Sequence, residues 1–216
     1  MKTSKSFYNE TRKRKFRVTV FGSARVKKTD KVYKEVFQLG KLLGEREIEI
    51  VTGGGPGLMN AVSVGHKTGK KMEGTHAIGL NIKIPNEQRI NPNITLIKEF
   101  ARFSKRLDNF MLLSNAIVVC PGGFGTLLEL FYAWQLLQVE QIKNIPVILM
   151  GDMWQGLIKW MENHQLRKKY FEKKDLESVF IAHSPDEAIE IIDAAYKSYR
   201  EGKNDFCSKH SKYKLE

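Results

Sequence analysis

The stretch Ala116-Ile117-Val118-Val119-Cys120-Pro121-Gly122-Gly123-Phe124-Gly125-Thr126-Leu127-Leu128-Glu129 decides the fold, because it runs an apolar strand straight into a glycine turn and a helix. Residues Ala116–Cys120 are apolar without alternation, which is the pattern of a parallel strand buried on both faces. Gly122, Gly123 and Gly125 let the chain turn sharply, take positive φ and bring backbone N–H groups close to a ligand. Thr126 is read as the start of the following helix, whose positive dipole end favours an anion such as phosphate. Strand, nest and helix start together describe an anion site.

A second turn of this kind joins Ile48-Glu49-Ile50-Val51-Thr52 to Gly53-Gly54-Gly55-Pro56-Gly57-Leu58-Met59-Asn60, with Pro56 suited to the first turn of a helix. Leu58 and Leu128 stand where a GxGxxG fingerprint needs its third glycine, and no GxxxxGK[ST] occurs, so dinucleotide and P-loop chemistry are disfavoured. Strand and helix patterns alternate from residue 17 to about residue 199 without repeat or low-complexity linker. This predicts an α/β, Rossmann-like, doubly wound parallel sheet flanked by helices, in a single domain. Strands are expected at Arg17–Phe21, Glu47–Thr52, His76–Ile82, Thr95–Glu99, Ala116–Cys120, Val147–Met150 and near Val179–Ile181. Helices are expected at Lys31–Arg46, from about Pro56 to Thr68, at Ala101–Ser114, over roughly Thr126–Val139, from Trp154, and at Pro185–Tyr199, with Pro85–Asn93 an irregular polar excursion. Ligands of such sheets sit beyond the carboxyl ends of the strands. Gly22-Ser23, Gly53–Gly57 and Gly122–Thr126 fall at three such ends, so the loops are expected to line one crevice that holds a nucleotide or sugar phosphate.

The chain has 216 residues, 42% hydrophobic, enough for one well-filled α/β domain, and a formal charge of +12. Residues 1–17 contribute +6 and residues 197–216 contribute +3, which leaves +3 for the rest. The basicity is therefore assigned to polar ends, residues 1–16 and 200–216, poorly ordered or loosely docked around a domain at 17–199. Nucleic-acid binding through Arg12-Lys13-Arg14-Lys15 is the weaker reading, since only Phe7, Tyr8 and Phe16 supply nearby aromatics. No apolar stretch reaches membrane-spanning length and no signal-peptide core follows the basic N-terminus, so a cytoplasmic protein is expected. Cys120 and Cys207 define no disulfide framework and are read as reduced. The scattered histidines 66, 76, 164, 183 and 210 lack metal-ligand spacing, and no metal or cofactor is expected.

Two residue types remain for chemistry. Thr126-Leu127-Leu128-Glu129 fits a T-x-x-E capping box, in which the carboxylate only satisfies a backbone N–H. The other reading turns Glu129 toward the ribose of a bound nucleotide. Among Arg102, Lys105 and Arg106 on the preceding helix, the bare sequence does not choose.

The motifs Pro121-Gly122-Gly123-Phe124-Gly125-Thr126-Leu127-Leu128-Glu129 and Gly53-Gly54-Gly55-Pro56-Gly57-Leu58-Met59 resemble the PGGxGTxxE and GGGxGLM motifs of the LOG ("Lonely Guy") family of cytokinin-activating phosphoribohydrolases. Relatives of these proteins have long been labelled possible lysine decarboxylases. The resemblance spans about residues 17–199 and implies that Arg106 and Glu129 are the catalytic pair. It implies substrate contacts from Gly22 and Ser23, from Gly54, Gly55, Gly57 and Met59, and from Gly122, Gly123, Phe124, Gly125, Thr126 and Leu128. Glu87 joins them through Pro85-Asn86-Glu87-Gln88, which resembles the family's P-x-E stretch. Leu107 departs from the lysine that usually follows the family arginine. The implied reaction is hydrolysis of the N-glycosidic bond of a purine nucleoside 5′-monophosphate, AMP or a cytokinin riboside 5′-monophosphate, to free base and ribose 5-phosphate. A homodimer or larger homo-oligomer is implied too, with Phe131, Tyr132, Trp134 and Leu137 available as a helix-packing surface unless they are monomer core. Decarboxylation has no support, because nothing marks a pyridoxal-binding lysine. The competing class is a nucleotide or molybdenum-cofactor carrier on the same fold.

Overall fold

The computed structural model describes residues 4–83, 90–142 and 145–202. Seven strands form one sheet: β1 (Arg17–Phe21), β2 (Glu49–Thr52), β3 (Ala77–Ile82), β4 (Leu96–Phe100), β5 (Ala116–Val119), β6 (Val147–Met150) and β7 (Val179–Ala182). Their order is β4-β3-β2-β1-β5-β6-β7 and every pairing is parallel, with Val18 opposite Ala116 and Ile50 on the two sides of β1. This is the doubly wound α/β architecture. The order reverses between β1 and β5.

Six helices follow the strand pattern: α2 (Lys31–Glu45), α3 (Leu58–Gly69), α4 (Phe103–Leu113), α5 (Phe124–Gln138), α6 (Met153–Met161) and α7 (Pro185–Arg200); α1 (Ser4–Thr11) precedes β1. α2, α3 and α7 close one face over Val18, Val20 and Val118. α1, α4, α5 and α6 close the other over Phe21, Ile117 and Val119. Successive residues of one strand point to opposite faces, so a strand covered on both sides must be apolar throughout. That is why the strands show runs and not alternation. α7 begins as its sequence predicts: the Ser184 hydroxyl accepts from the Glu187 N–H at 3.2 Å, and Pro185 fills the first helical position.

Three readings change. The basic segment before β1 is not a loose appendage, for α1 packs Phe7 into the core and Tyr8 and Phe100 flank the Lys98 ammonium at 4.7 and 4.8 Å. Lys15 and Arg17 both bind Glu49, at 2.6 and 2.9 Å. Pro56 lies ahead of α3, whose N-cap is Gly57, not inside its first turn. After α6 the chain adds a π-helical turn at Glu162–Leu166 and a 3-10 turn at Lys173–Leu176, for which the sequence offered only one helix from Trp154. No described helix is long and apolar enough to cross a membrane.

Candidate active site

β1 and β5 are neighbours at the point of reversal, so their carboxyl ends open the crevice where sheets of this kind hold ligands. Backbone bonds tie the three expected loops together there. The Ser23 N–H donates to the Pro121 carbonyl at 3.1 Å, and the Ser23 carbonyl accepts from the Leu58 N–H at 2.9 Å. Gly57 completes the junction: with φ +63°, it lies where a Cβ would come within 2.3 Å of the Ser23 oxygen. Gly22 packs against Leu58 and Cys120, while Gly54 accepts from the Asn91 N–H at 3.0 Å.

α4 and α5 bring the ionisable pair to this crevice. Arg106 Nη1 lies 3.2 Å from Glu129 Oε1, and each residue is only 9% exposed. Arg106 is held from two further sides. Its Nε donates to the Leu80 carbonyl at the end of β3 at 2.7 Å, and its guanidinium stands 5.0 Å from the centre of the Phe110 ring. Arg102 and Lys105, the alternatives left open by the sequence, are exposed. Of the three, Arg106 is the one that meets Glu129. Gly53 makes room for it, since a Cβ there would fall 2.4 Å from Arg106 Nη2 and 2.7 Å from the Met59 sulfur. Met59 also touches the space beside Gly55, so the second glycine turn, Arg106 and Glu129 share one neighbourhood.

Burial governs the charges of this pair. It pushes the Glu129 carboxyl up to about 7, against the pull of Arg106 in the opposite direction. The same burial lowers the Arg106 guanidinium from its ordinary value, with Glu129 opposing. Loss of water outweighs the ion pair for both partners. A carboxyl poised near neutrality suits proton transfer at physiological pH.

The capping-box reading of Glu129 is excluded by where α5 begins. Gly123 is the N-cap and Phe124 the first helical residue, so Thr126 lies in the third position and not at the cap. Glu129 is then one turn deeper than a capping glutamate. The left-handed backbone expected in the third loop is also absent: among the described glycines with positive φ, Gly54 and Gly57 belong to the second loop, and Gly122, Gly123 and Gly125 are not among them. Gly122 has a steric reason instead, because a Cβ would meet the Thr126 hydroxyl at 2.1 Å. Gly123 and Gly125 face open space. Ahead of Leu127, whose N–H donates to the Gly123 carbonyl at 3.0 Å, the first N–H groups of α5 have no intrahelical acceptors, the arrangement that favours an anion.

Phe124 and Leu128 lie on the outer side of α5, 93% and 47% exposed. Phe131 continues the same stripe at 42%, whereas Trp134 is monomer core and Tyr132 and Leu137 pack partly against it. Leu107 is buried. Glu87 lies outside the described residues. Sequence reasoning missed the Arg106 supports: the Leu80 carbonyl left no side-chain signal, while Phe110, one turn after Arg106, and Gly53, first of a glycine triplet, did. Among the described residues no group of three or more His, Cys, Asp or Glu side chains is placed to hold a metal ion.

A parallel, doubly wound sheet whose second glycine loop meets a buried Arg–Glu pair places the chain among Rossmann-like α/β proteins. The chain belongs to the LOG family: residues 59–192 match the family described as "possible lysine decarboxylase". It is 33% identical over 121 residues to a pyrimidine/purine nucleotide 5′-monophosphate nucleosidase of Escherichia coli K12, which covers 53% of this chain and 26% of that protein. The chain thus spans about a quarter of that relative. It is 30% identical over 183 residues to a probable cytokinin riboside 5′-monophosphate phosphoribohydrolase of Oryza sativa subsp. japonica, covering 82% of this chain and 72% of the other. Among solved structures, the molybdenum cofactor binding protein of Rippkaea orientalis superposes with a TM-score of 0.62 at 26% identity, over 85% of this chain and 98% of that one.

Proposed function

We propose that the protein hydrolyses the N-glycosidic bond of a purine nucleoside 5′-monophosphate, AMP or its N6-prenylated relative, to free base and ribose 5-phosphate. The observation that carries this reading is the buried Arg106–Glu129 pair at 3.2 Å, its carboxyl held near 7, beside the glycine loops. The 5′-phosphate binds the N–H groups at the start of α5, with Gly22 and Ser23 and the Gly54, Gly55, Gly57 and Met59 turn lining the nucleotide. As the C1′–N bond breaks, its electron pair leaves with the base, and the sugar gains oxocarbenium character that the Glu129 carboxylate stabilises. A water oxygen bonds to C1′ and one of its protons passes to Glu129, while the departing base takes a proton from solvent and Glu129 returns its own to solvent, restoring the carboxylate. Arg106 fixes the carboxylate and favours its ionised form while its Nε stays bonded to the Leu80 carbonyl, a planar fork that a lysine lacks.

The working unit is a homo-oligomer, at least a dimer, in which a second copy covers the apolar stripe Phe124, Leu128 and Phe131 beside the site. The likeness to the molybdenum cofactor binding protein favours a second reading, a carrier that holds its ligand without cleaving it. Incubation with AMP and with its N6-prenylated relative, without added metal, decides between them. Adenine and ribose 5-phosphate are expected by chromatography, with adenosine cleaved far more slowly. AMP and its N6-prenylated relative both bound but recovered intact would refute hydrolysis in favour of the carrier, and equal cleavage of adenosine would refute the phosphate cradle.

A further inference from the structure

A second concave site lies at the amino-terminal ends of the central strands. The segment before β1, the end of α4, the entry to β6 and the last turns of α7 enclose a cleft of about 670 Å³, within the range of small-ligand pockets. It is lined by Arg12, Lys13, Arg14, Lys15, Arg17 and Arg200, and by no carboxylate among the described residues. The Arg–Lys alternation divides these charges. Lys13 is held by Glu10 at 2.8 Å, Lys15 by Glu49 at 2.6 Å, and Arg17 by Glu49 at 2.9 Å. Arg12, Arg14 and Arg200 are exposed, and among the described residues none has a carboxylate partner.

The backbone carrying two of these arginines is fixed. Arg17 Nη2 donates to the carbonyls of Glu10 and Lys13, at 3.2 and 3.1 Å, which pins the turn from which Arg12 and Arg14 project. Phe16 anchors the same turn on α7 through Tyr196 and Tyr199, with ring centres 5.0 and 5.4 Å away. Unpaired guanidinium groups on a braced backbone repel one another unless an anion joins them. Their planar donor forks match phosphate oxygens.

We propose that this cleft binds a small anion carrying several phosphate groups, held by Arg12, Arg14 and Arg200. The site is independent of the glycine-loop crevice. The cleft lies before the first residues of β1, β5 and β6, whereas the Arg106–Glu129 pair lies beside Gly53, just after β2, and Leu80 of β3. Its size favours a compact ligand over an extended nucleic-acid strand, which needs a groove that tracks the backbone over several nucleotides.

Calorimetry on the full chain with inorganic tripolyphosphate tests the proposal. One equivalent is expected to bind in the presence of saturating AMP, held uncleaved by using the Glu129→Gln protein, and at least about tenfold more tightly than sulfate. Arg12→Gln with Arg14→Gln, and separately Arg200→Gln, are each expected to weaken it about tenfold or more, without change in the melting temperature, since all three side chains are exposed. Binding that survives these substitutions, or that AMP displaces, would place the anion in the glycine loops and overturn the proposal. A single-stranded oligonucleotide that binds more tightly than tripolyphosphate with the same arginine dependence would overturn it in favour of nucleic acid.

Discussion

Arg106→Gln is expected to change the pH dependence of turnover and not only its size. Glu129 must be ionised to stabilise a developing positive charge, and burial already holds its carboxyl at about 7 despite the guanidinium beside it. Activity should accordingly fall as pH drops through about 7 in the intact protein. Two unit charges about 4 Å apart at an effective dielectric of about 20 attract by about 4 kcal/mol, which corresponds to about 3 pH units of support for the ionised form. Water entering the space left by the guanidinium returns part of this, so the carboxyl should rise by about 2 units in the variant. At pH 7 only about one carboxyl in a hundred would then be ionised, against about half in the intact protein; by pH 9.5 most would be ionised in both. The ratio of intact to variant kcat, measured with saturating AMP, should shrink about twentyfold or more between these values. The second ionisation of the substrate phosphate, near 6, affects both proteins alike and cancels in the ratio. Glu129→Gln, which has no carboxyl to titrate, should lack this acid limb altogether. A ratio that stays constant from pH 7 to 9.5 in well-folded Arg106→Gln would refute the idea that Arg106 keeps Glu129 ionised.

Glu129→Gln should bind AMP and melt near the intact protein yet lose turnover by about two orders of magnitude or more, about 3 kcal/mol of transition-state stabilisation; near-normal turnover would remove Glu129 from catalysis. Gly53→Ala places a methyl group 2.4 Å from Arg106 Nη2, the end of a flexible side chain, so kcat should fall while circular dichroism stays unchanged. Gly57→Ala meets backbone instead, at a glycine-type φ of +63°, and should lower stability by about 1–3 kcal/mol or more in urea titrations. Phe124→Asp with Leu128→Asp should yield a monomer by light scattering if a second copy covers that stripe, and an unchanged mass would exclude it. His66 is buried with Nε2 2.9 Å from the Ile48 carbonyl, and burial lowers its pKa. Its neutral ring therefore contributes stability that is present above about 6.5, the ordinary histidine value, and lost as pH falls through the folded value; His66→Gln should flatten that part of the melting profile.

The sheet was legible because a parallel strand covered on both faces has no choice but to be apolar, so Val18, Ile50, Ile78, Val118 and Ile148 announce it without any long-range information. Two misplaced features have the opposite origin. α1 was hidden by the charges of residues 1–17, whose partners Glu49 and Lys98 lie far along the chain. The start of α5 was hidden by glycine, since Gly123-Phe124-Gly125 reads locally as loop although Phe124 and Gly125 are already helical. That shift of two residues decided the meaning of Glu129. A helix beginning at Thr126 would have made it a capping residue.

The choice of Arg106 over Arg102 and Lys105 needed the third dimension for a similar reason. Only the rotation of α4 against β3 puts one cation of the three beneath the Leu80 carbonyl and opposite α5. Folding alone does not account for this arrangement. Buried ion pairs of this kind are frequently replaceable by apolar side chains without loss of stability, and the residues flanking Glu129 in α5, Leu127, Leu128 and Leu130, are apolar. Here desolvation outweighs the mutual attraction for both partners, so the pair holds a carboxyl near 7 at a cost to the folded state. A charge pair buried at this cost beside the second glycine loop has the character of a site built for chemistry. The carrier reading assigns no task to a carboxyl that titrates near neutral pH, whereas hydrolysis uses it twice, as a carboxylate facing the oxocarbenium-like sugar and as the acceptor of a proton from water.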